Sequence, residues 1–340
     1  MASLEPLYAG AVALRGALYD AGWLAASRAP VPVISVGNLT AGGSGKSPMV
    51  AWIAAQLSSA GKRPAIVSRG YRGSHRGAAT IVSSGEGLRV TADVAGDEPV
   101  MLAAKLPRVP VVVARRRLDG ARLAVDSCGA DCVILDDGFQ HRALAREMDL
   151  VMVDGVDPFG SGRLLPAGPL REPMAALRRA SVIVVHRGSG TDGPDSAIHD
   201  AAARHCPRAP VLRARVKATQ VLDAATGESL PVTALQDLPV ACLAGIARPG
   251  RFFEDARKAG ARVVKEIPFP DHHAFSEAEL DDVARTARGA GAAAILTTEK
   301  DLVRLHEGQA ARLGRLLALC VELEVVESDL LARLLREAAR

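Results

Sequence analysis

"VISVGNLTAGGSGKSPMV", residues 33–50, decides how the rest of the chain is read. Its first residues form an apolar run with strand character, its middle is a glycine-rich turn, and Gly45-Lys46-Ser47 stands just before the helix-like "SPMVAWIAAQLSSAG". The pattern G-x-x-x-x-G-K-[ST] wants glycine where this chain has Thr40, so the spelling is altered while the strand–loop–helix context is kept. Gly37, Gly42, Gly43 and Gly45 are expected to let backbone N–H groups converge on an anion without interference from a Cβ. Thr40, Ala41, Gly42, Gly43, Ser44, Gly45, Lys46 and Ser47 are therefore read as a phosphate-binding loop. Lys46 would supply a point charge for β and γ phosphates, and Ser47 a hydroxyl for magnesium at the helix N-terminus. Pro48 fits there because a first-turn N–H has no intrahelical partner to lose.

A phosphate loop implies a second half-site. "CVILDDGFQH", residues 132–141, offers an apolar strand ending in Asp136 and Asp137, the position from which a carboxylate holds magnesium directly or through water. The nearest relative of a guanine-reading N-K-x-D motif is Thr298-Glu299-Lys300-Asp301, which lacks the asparagine and has its lysine out of register, so a GTPase is discounted. A kinase needs a residue that takes a proton from an acceptor hydroxyl. Two stretches offer one. "AGDEPVML" puts Asp97 and Glu98 at a helix start, where capping alone is the competing explanation. "FPDHHAF" places Asp271, His272 and His273 after a strand, where adjacent histidines can equally be packing residues.

Around these motifs the chain alternates strand and helix. Strand runs such as "VPVVVA", "DCVILDD", "DLVMVD" and "SVIVVH" are continuously apolar, which marks strands covered on both faces and hence a mostly parallel sheet between helices. A Gly/Pro-rich stretch over 187–210 suggests a boundary, and a second α/β alternation follows it. The expected division is 1–28 as an apolar helix, 29–205 as the P-loop α/β domain and 206–340 as a smaller α/β lobe. At 340 residues, with 42 basic against 38 acidic side chains, the chain can bury a large core and carries no field that would bind nucleic acid. Five scattered cysteines read as reduced, buried thiols; Cys128 and Cys132 have no second pair to complete a zinc site.

The N-terminal "LEPLYAGAVALRGALYDAGW", residues 4–23, places Leu7, Leu14 and Leu18 on one helical stripe and Tyr8, Val12, Tyr19 and Trp23 on an adjoining one. Arg15 and Asp20 weaken a membrane span, so a helix lying in a membrane interface is expected, with packing on the protein's own body as the alternative.

Taken together and in this order, "GNLTAGGSGKSP", "SRGYRG", "AGDEP", "DDGFQH", "GRLLPAGPLREP" and "FPDHHAF" resemble the tetraacyldisaccharide 4'-kinases, the lipid A 4'-kinases of Gram-negative bacteria. The motifs cover residues 37 to about 301, and Thr40 in place of the first glycine is that family's own spelling. The resemblance implies ATP and Mg²⁺ as cofactors and a lipid A precursor, tetraacyldisaccharide 1-phosphate, as acceptor at the cytoplasmic face of the inner membrane, with a monomer expected. It implies Lys46 and Ser47 on phosphate and magnesium, Asp97 with His272 as a base dyad, and Asp136 and Asp137 at the metal. Tyr71, Arg72, Glu98, Gln140, His141, Arg171 and Glu172 would line the site. Arg28 and Arg63 are expected at anionic head groups, and Arg115, Arg116 and Arg117 at the substrate's 1-phosphate, a solvated charge run being the competing reading. A soluble P-loop kinase or ATPase acting on a small metabolite is the rival function.

Overall fold

The structure is a computed structural model and describes residues 4–42, 45–187, 195–306 and 308–340. Its elements run α1 (Glu5–Asp20), β1 (Val33–Asn38), α2 (Lys46–Ser59), β2 (Pro64–Ser68), β3 (Ala79–Ser83), α3 (Ala92–Ala95), α4 (Asp97–Lys105), β4 (Val111–Ala114), α5 (Arg117–Cys128), β5 (Cys132–Asp136), β6 (Met148–Asp154), β7 (Val182–Arg187), α6 (Ser196–His205) and β8 (Val211–Asp223). They continue with β9 (Ser229–Pro231), β10 (Pro239–Ala244), α7 (Pro249–Lys258), β11 (Arg262–Pro268), α8 (Glu277–Gly289), β12 (Ala294–Thr298), α9 (Glu299–Leu302), α10 (Gln309–Arg312), β13 (Leu316–Val325) and α11 (Ser328–Ala338).

The chain forms two compact units, Met1–Arg215 with Leu323–Arg340, and Val216–Glu322. In the first, the strands lie in the order β8-β7-β6-β1-β5-β2-β4-β3, parallel throughout except for the antiparallel edge strand β3. The expected mostly parallel α/β sheet is thus present. Every residue of β1, β2, β4 and β5 is buried, which is why these strands read as unbroken apolar runs. Alternation along the pleat sends Val67, Val112, Val133 and Leu135 toward Leu118, Ala121 and Ala124 of α5. Ile34, Ile66 and Ile134 take the other face, on the side where α2, whose Met49, Ile53 and Leu57 are fully buried, packs on β1, β2 and β5.

The second unit orders its strands β11-β10-β12-β13, all parallel, with β9 pairing antiparallel to residues 220–222 of β8. Phe252, Phe253 and Ala256 of α7 cover one face, and Leu280, Val283 and Ala287 of α8 the other.

These units divide inside β8 and inside β13, and not at the Gly/Pro-rich stretch near residue 206. The C-terminal helix accordingly groups with the first unit. Leu331 and Leu335 on the buried side of α11 account for this, since that helix packs on α2 and β1. The 187–210 stretch, expected as a boundary, contains α6 with Ile198, Ala201 and Ala202 in the core.

Candidate active site

Register builds the site. Parallel pairing sets Val36 of β1 beside Asp136 of β5, so the loop leaving β1 and the acidic turn leaving β5 emerge side by side at the carboxyl ends of the strands. Lys46, the first residue of α2, then reaches Asp137 Oδ1 at 3.6 Å and donates to Asn38 Oδ1 at 3.2 Å. Asn38 is fully buried and donates through Nδ2 to Thr40 O at 2.7 Å, so it braces the loop from below. Gly42 and Gly45 sit at φ 112° and 74°, where a side chain would be strained. Gly37 has a different task from the one expected of it. A Cβ there would lie 2.4 Å from Phe139 Cβ and 2.7 Å from Phe139 N, so this glycine admits the acidic turn and not an anion. Gly43 and Ser44, assigned to the phosphate loop above, lie outside the described residues.

Asp136 is 1% exposed; its Oδ2 accepts from Ser68 Oγ at 3.1 Å, and its Oδ1 has no hydrogen-bond partner. Burial, with Glu98 and Asp137 nearby, pushes this carboxyl well above the ordinary carboxylate range, against the pull of Lys46 and Ser68. Asp137 behaves oppositely. Burial disfavours its charge, but Lys46, Arg171 and Arg117 together hold its carboxyl below the usual range. It stands at φ 51°, and its Oδ2 accepts from Arg171 Nη1 at 2.8 Å, while its buried Oδ1 makes no hydrogen bond. Two adjacent carboxylates, each with an orphaned oxygen and beside a phosphate loop, fit a divalent cation.

The segment 169–172 is zipped to the rising limb of the loop. Ala41 N donates to Pro169 O at 2.7 Å and Arg171 N to Leu39 O at 2.7 Å. Glu172 is thereby buried, and its Oε2 accepts from Gln140 Nε2 at 3.3 Å and Arg179 Nη2 at 2.6 Å. Gln140 Nε2 also donates to Asn38 O at 2.9 Å. Lys46, Asp136, Asp137, Gln140, Arg171 and Glu172 are thus brought together. His141 joins them as a neutral ring, because burial and the cations Arg117, Arg146, Arg15 and Arg69 push it down to about 4.

Asp97 opens α4, whose N-cap is Gly96; it is 7% exposed, and its Oδ1 accepts from the adjacent Glu98 N at 3.1 Å. The loop carrying Tyr71 and Arg72 leans on the same segment. Ser74 N and His75 N donate to Asp93 O and Val94 O at 2.8 and 2.9 Å, and a Cβ on Gly96 would meet Tyr71 O at 2.5 Å. Arg72 lies at φ 63° with its guanidinium over the exposed Tyr71 ring. Of the arginine run, Arg115 and Arg116 are exposed but Arg117 is only 3% exposed, so the three do not form one solvated patch. Arg117 donates to Ala114 O, and burial lowers it to about 10 despite Asp136 and Asp137.

In the second unit the two histidines separate. His273 Nε2 lies 3.0 Å from Glu279 Oε1, and its ring packs against Phe269 and Phe275. Glu279 in turn closes the capping box of α8 with Ser276. His272 sits at φ 60°, with Nε2 3.2 Å from Lys300 Nζ and 3.7 Å from Asp271 Oδ2. His273 is thus held by Glu279 and the two phenylalanines.

Sequence reasoning passed over Asn38, Ser68, Arg179 and His186. Asn38 lies within the quoted motif, and its side-chain amide is the signal that was there to find. His186, at the end of β7, lies so close under Gly45 that a Cβ there would come within 2.9 Å of its ring.

The family model for tetraacyldisaccharide-1-P 4'-kinase matches residues 1–340. The chain belongs to this family. A tetraacyldisaccharide 4'-kinase of Anaeromyxobacter dehalogenans is 47% identical over 324 residues, 95% of this chain and 85% of that protein. One of Geobacter sulfurreducens is 42% identical over 311 residues, covering 92% and 84%. The crystal structure of the "apo" form of LpxK from Aquifex aeolicus, in complex with ATP, superposes with a TM-score of 0.77 at 31% identity, covering 100% of this chain and 99% of that one. Members of the tetraacyldisaccharide 4'-kinase family thus share the fold across the whole chain.

Proposed function

We propose that this chain transfers the γ-phosphoryl group of ATP to the 4'-hydroxyl of tetraacyldisaccharide 1-phosphate, a phosphotransferase reaction of lipid A synthesis. One observation carries the reading: the β1–β5 register holds Lys46 3.6 Å from Asp137 in a chain that matches this kinase family from end to end.

Phosphoryl transfer asks mainly for positioning and charge. Loop amides and Lys46 hold the β and γ phosphates; Lys46 is kept in place between Asn38 and Asp137. Ser47, Asp136 and Asp137 would hold Mg²⁺, and the ion would neutralise charge on the transferring group. The acceptor oxygen bonds to the γ-phosphorus as the bond to the β-phosphate oxygen breaks, and the hydroxyl proton passes to a base, the role proposed for Asp97 and His272. Glu98, Gln140, His141, Arg171 and Glu172 shape the pocket around this centre, with Tyr71 and Arg72 at its edge.

The acceptor carries four acyl chains, and each CH₂ kept in the bilayer is worth about 0.8 kcal/mol, so the enzyme must work at the membrane surface. Helix α1 suits that task. One side of it is tied to the rest of the protein: Tyr8 Oη donates to Arg171 O, Arg163 pairs with Glu5 and Arg142 with Asp20, so the Tyr8 and Tyr19 stripe expected at the membrane is half-buried. Leu4, Leu7, Leu14 and Trp23 stay exposed. Among the described residues no helix is long and apolar enough to cross a membrane. A peripheral attachment at the cytoplasmic face of the inner membrane, as a monomer, is the arrangement we propose. The test is γ-labelled ATP with Mg²⁺ and the lipid acceptor, compared with ATP alone: label must enter the lipid, and lipid-independent hydrolysis would favour the small-metabolite kinase or ATPase.

A further inference from the structure

The segment Thr298–Asp301 ends β12 and begins α9, and it anchors the turn after β10. Asp301 is 1% exposed, and its Oδ1 accepts from Gly245 N at 3.1 Å and Arg304 Nη1 at 2.7 Å. Arg304 Nη1 also donates to Gly245 O at 2.7 Å, and His272 N donates to that same carbonyl at 3.1 Å. Clamped at both its N–H and its C=O, Gly245 fixes the backbone of His272. That backbone is at φ 60°, a left-handed conformation that is strained for a histidine and persists only where the surroundings impose it.

The lysine of the same segment meets the histidine from its side-chain end. Lys300 Nζ stands 3.2 Å from His272 Nε2 and 3.6 Å from Asp271 Oδ1. Side chains of Lys300 and His272 are 18% and 14% exposed, so these two groups meet largely out of water, while Asp271 at 35% keeps part of its carboxylate in solvent. An ammonium carries three donors and no acceptor, so the imidazole nitrogen facing it must present its lone pair. The ring proton then sits on Nδ1.

We propose that Lys300 is a positioning residue of phosphoryl transfer: its ammonium donates to His272 Nε2, with Asp271 balancing the charge, and so fixes His272 as the neutral Nδ1–H tautomer. The proposal rests on the assignment of His272 to the base dyad. In this tautomer Nδ1–H is the ring's donor and Nε2 the acceptor engaged by Lys300. His273 has no such partner, its Nε2 being engaged by Glu279.

The test uses the full chain with ¹⁵N-labelled histidine, the His272 signals being assigned by loss in His272→Gln. Long-range ¹H–¹⁵N spectra at pH 7.5 without nucleotide read the tautomer, and steady-state kinetics with ATP and the lipid acceptor read turnover. Wild type and Lys300→Arg should show the Nδ1–H form. Lys300→Met should lose it, and kcat should fall roughly 10- to 100-fold, the lower part of what a positioned acid–base group supplies, with KM for both substrates unchanged. Lys300→Arg should recover most of the turnover. A wild-type His272 in the Nε2–H form overturns the proposal whether or not Lys300→Met folds, as does wild-type tautomer or wild-type kcat in a folded Lys300→Met. If the tautomer responds as stated while wild type transfers no phosphate to lipid, the kinase reading fails and the role of Lys300 toward His272 stands.

Discussion

Replacing Asp136 with asparagine should make the ligand-free protein more stable and the enzyme inactive. In the folded state this carboxyl is fully buried with one oxygen unbonded and the other served by a single hydroxyl, Ser68 Oγ, at 3.1 Å. Glu98 and Asp137 add negative charge against Lys46, and the carboxyl is held well above the ordinary range. A group whose folded pKa is raised loses its proton first in the unfolded chain, so stability falls as pH rises through the ordinary carboxylate range toward neutrality. Asparagine keeps the shape, can still bond the Ser68 hydroxyl, and removes the charge. Relief of an incompletely bonded buried charge is worth about 1–3 kcal/mol, which should raise the midpoint by a few °C at pH 7.5. Thermal unfolding in EDTA without nucleotide, at pH 7.5 and pH 5, measures it. The gain should shrink at pH 5, where wild-type Asp136 is protonated, while lipid phosphorylation at pH 7.5 drops on the order of 10²- to 10³-fold. A less stable Asp136→Asn, or a gain independent of pH, would refute the reasoning.

Three further outcomes follow. Lys46→Met removes the cation between Asn38 and Asp137, and turnover should fall by on the order of 10³-fold with the far-UV spectrum unchanged; retained turnover would remove Lys46 from the phosphate site. Asp97→Asn and His272→Gln should each lower kcat by about 10²- to 10⁴-fold, and the double variant little further, as expected when both serve one proton transfer; additive losses would show that they work separately. Changing Leu7, Leu14 and Trp23 together to serine should weaken partition to anionic vesicles at least about 10²-fold, since each exposed side chain is worth about 1.5–3 kcal/mol on burial; unaltered co-sedimentation would take α1 away from the membrane.

What could be read from the chain and what could not divides along a physical line. Strands β1, β5, β6 and β7 are buried on both faces, so their sequences are unbroken apolar runs that announce a parallel sheet. By contrast β8 carries Arg213, Arg215 and Lys217 on alternate positions, and β3 is a half-buried antiparallel edge, so neither gives that signal. Gly/Pro-rich flanks concealed α6. The phosphate loop was legible because its parts are consecutive, whereas the contacts of Gln140 with Glu172, Arg171 with Asp137 and Lys300 with His272 join residues 32, 34 and 28 positions apart and exist only once the strands are paired. Gly37 shows the limit from the other side: a glycine inside a phosphate motif invites an anion reading, and only packing reveals Phe139 in the space where its Cβ would be.

The position of the new phosphate decides most directly. With ATP, Mg²⁺ and tetraacyldisaccharide 1-phosphate, ³¹P spectra of the lipid product should show a second phosphomonoester whose coupling and mass fragments place it on the 4'-oxygen of the distal glucosamine. A product phosphorylated elsewhere, or a lipid left unchanged while ATP is consumed, would contradict the account.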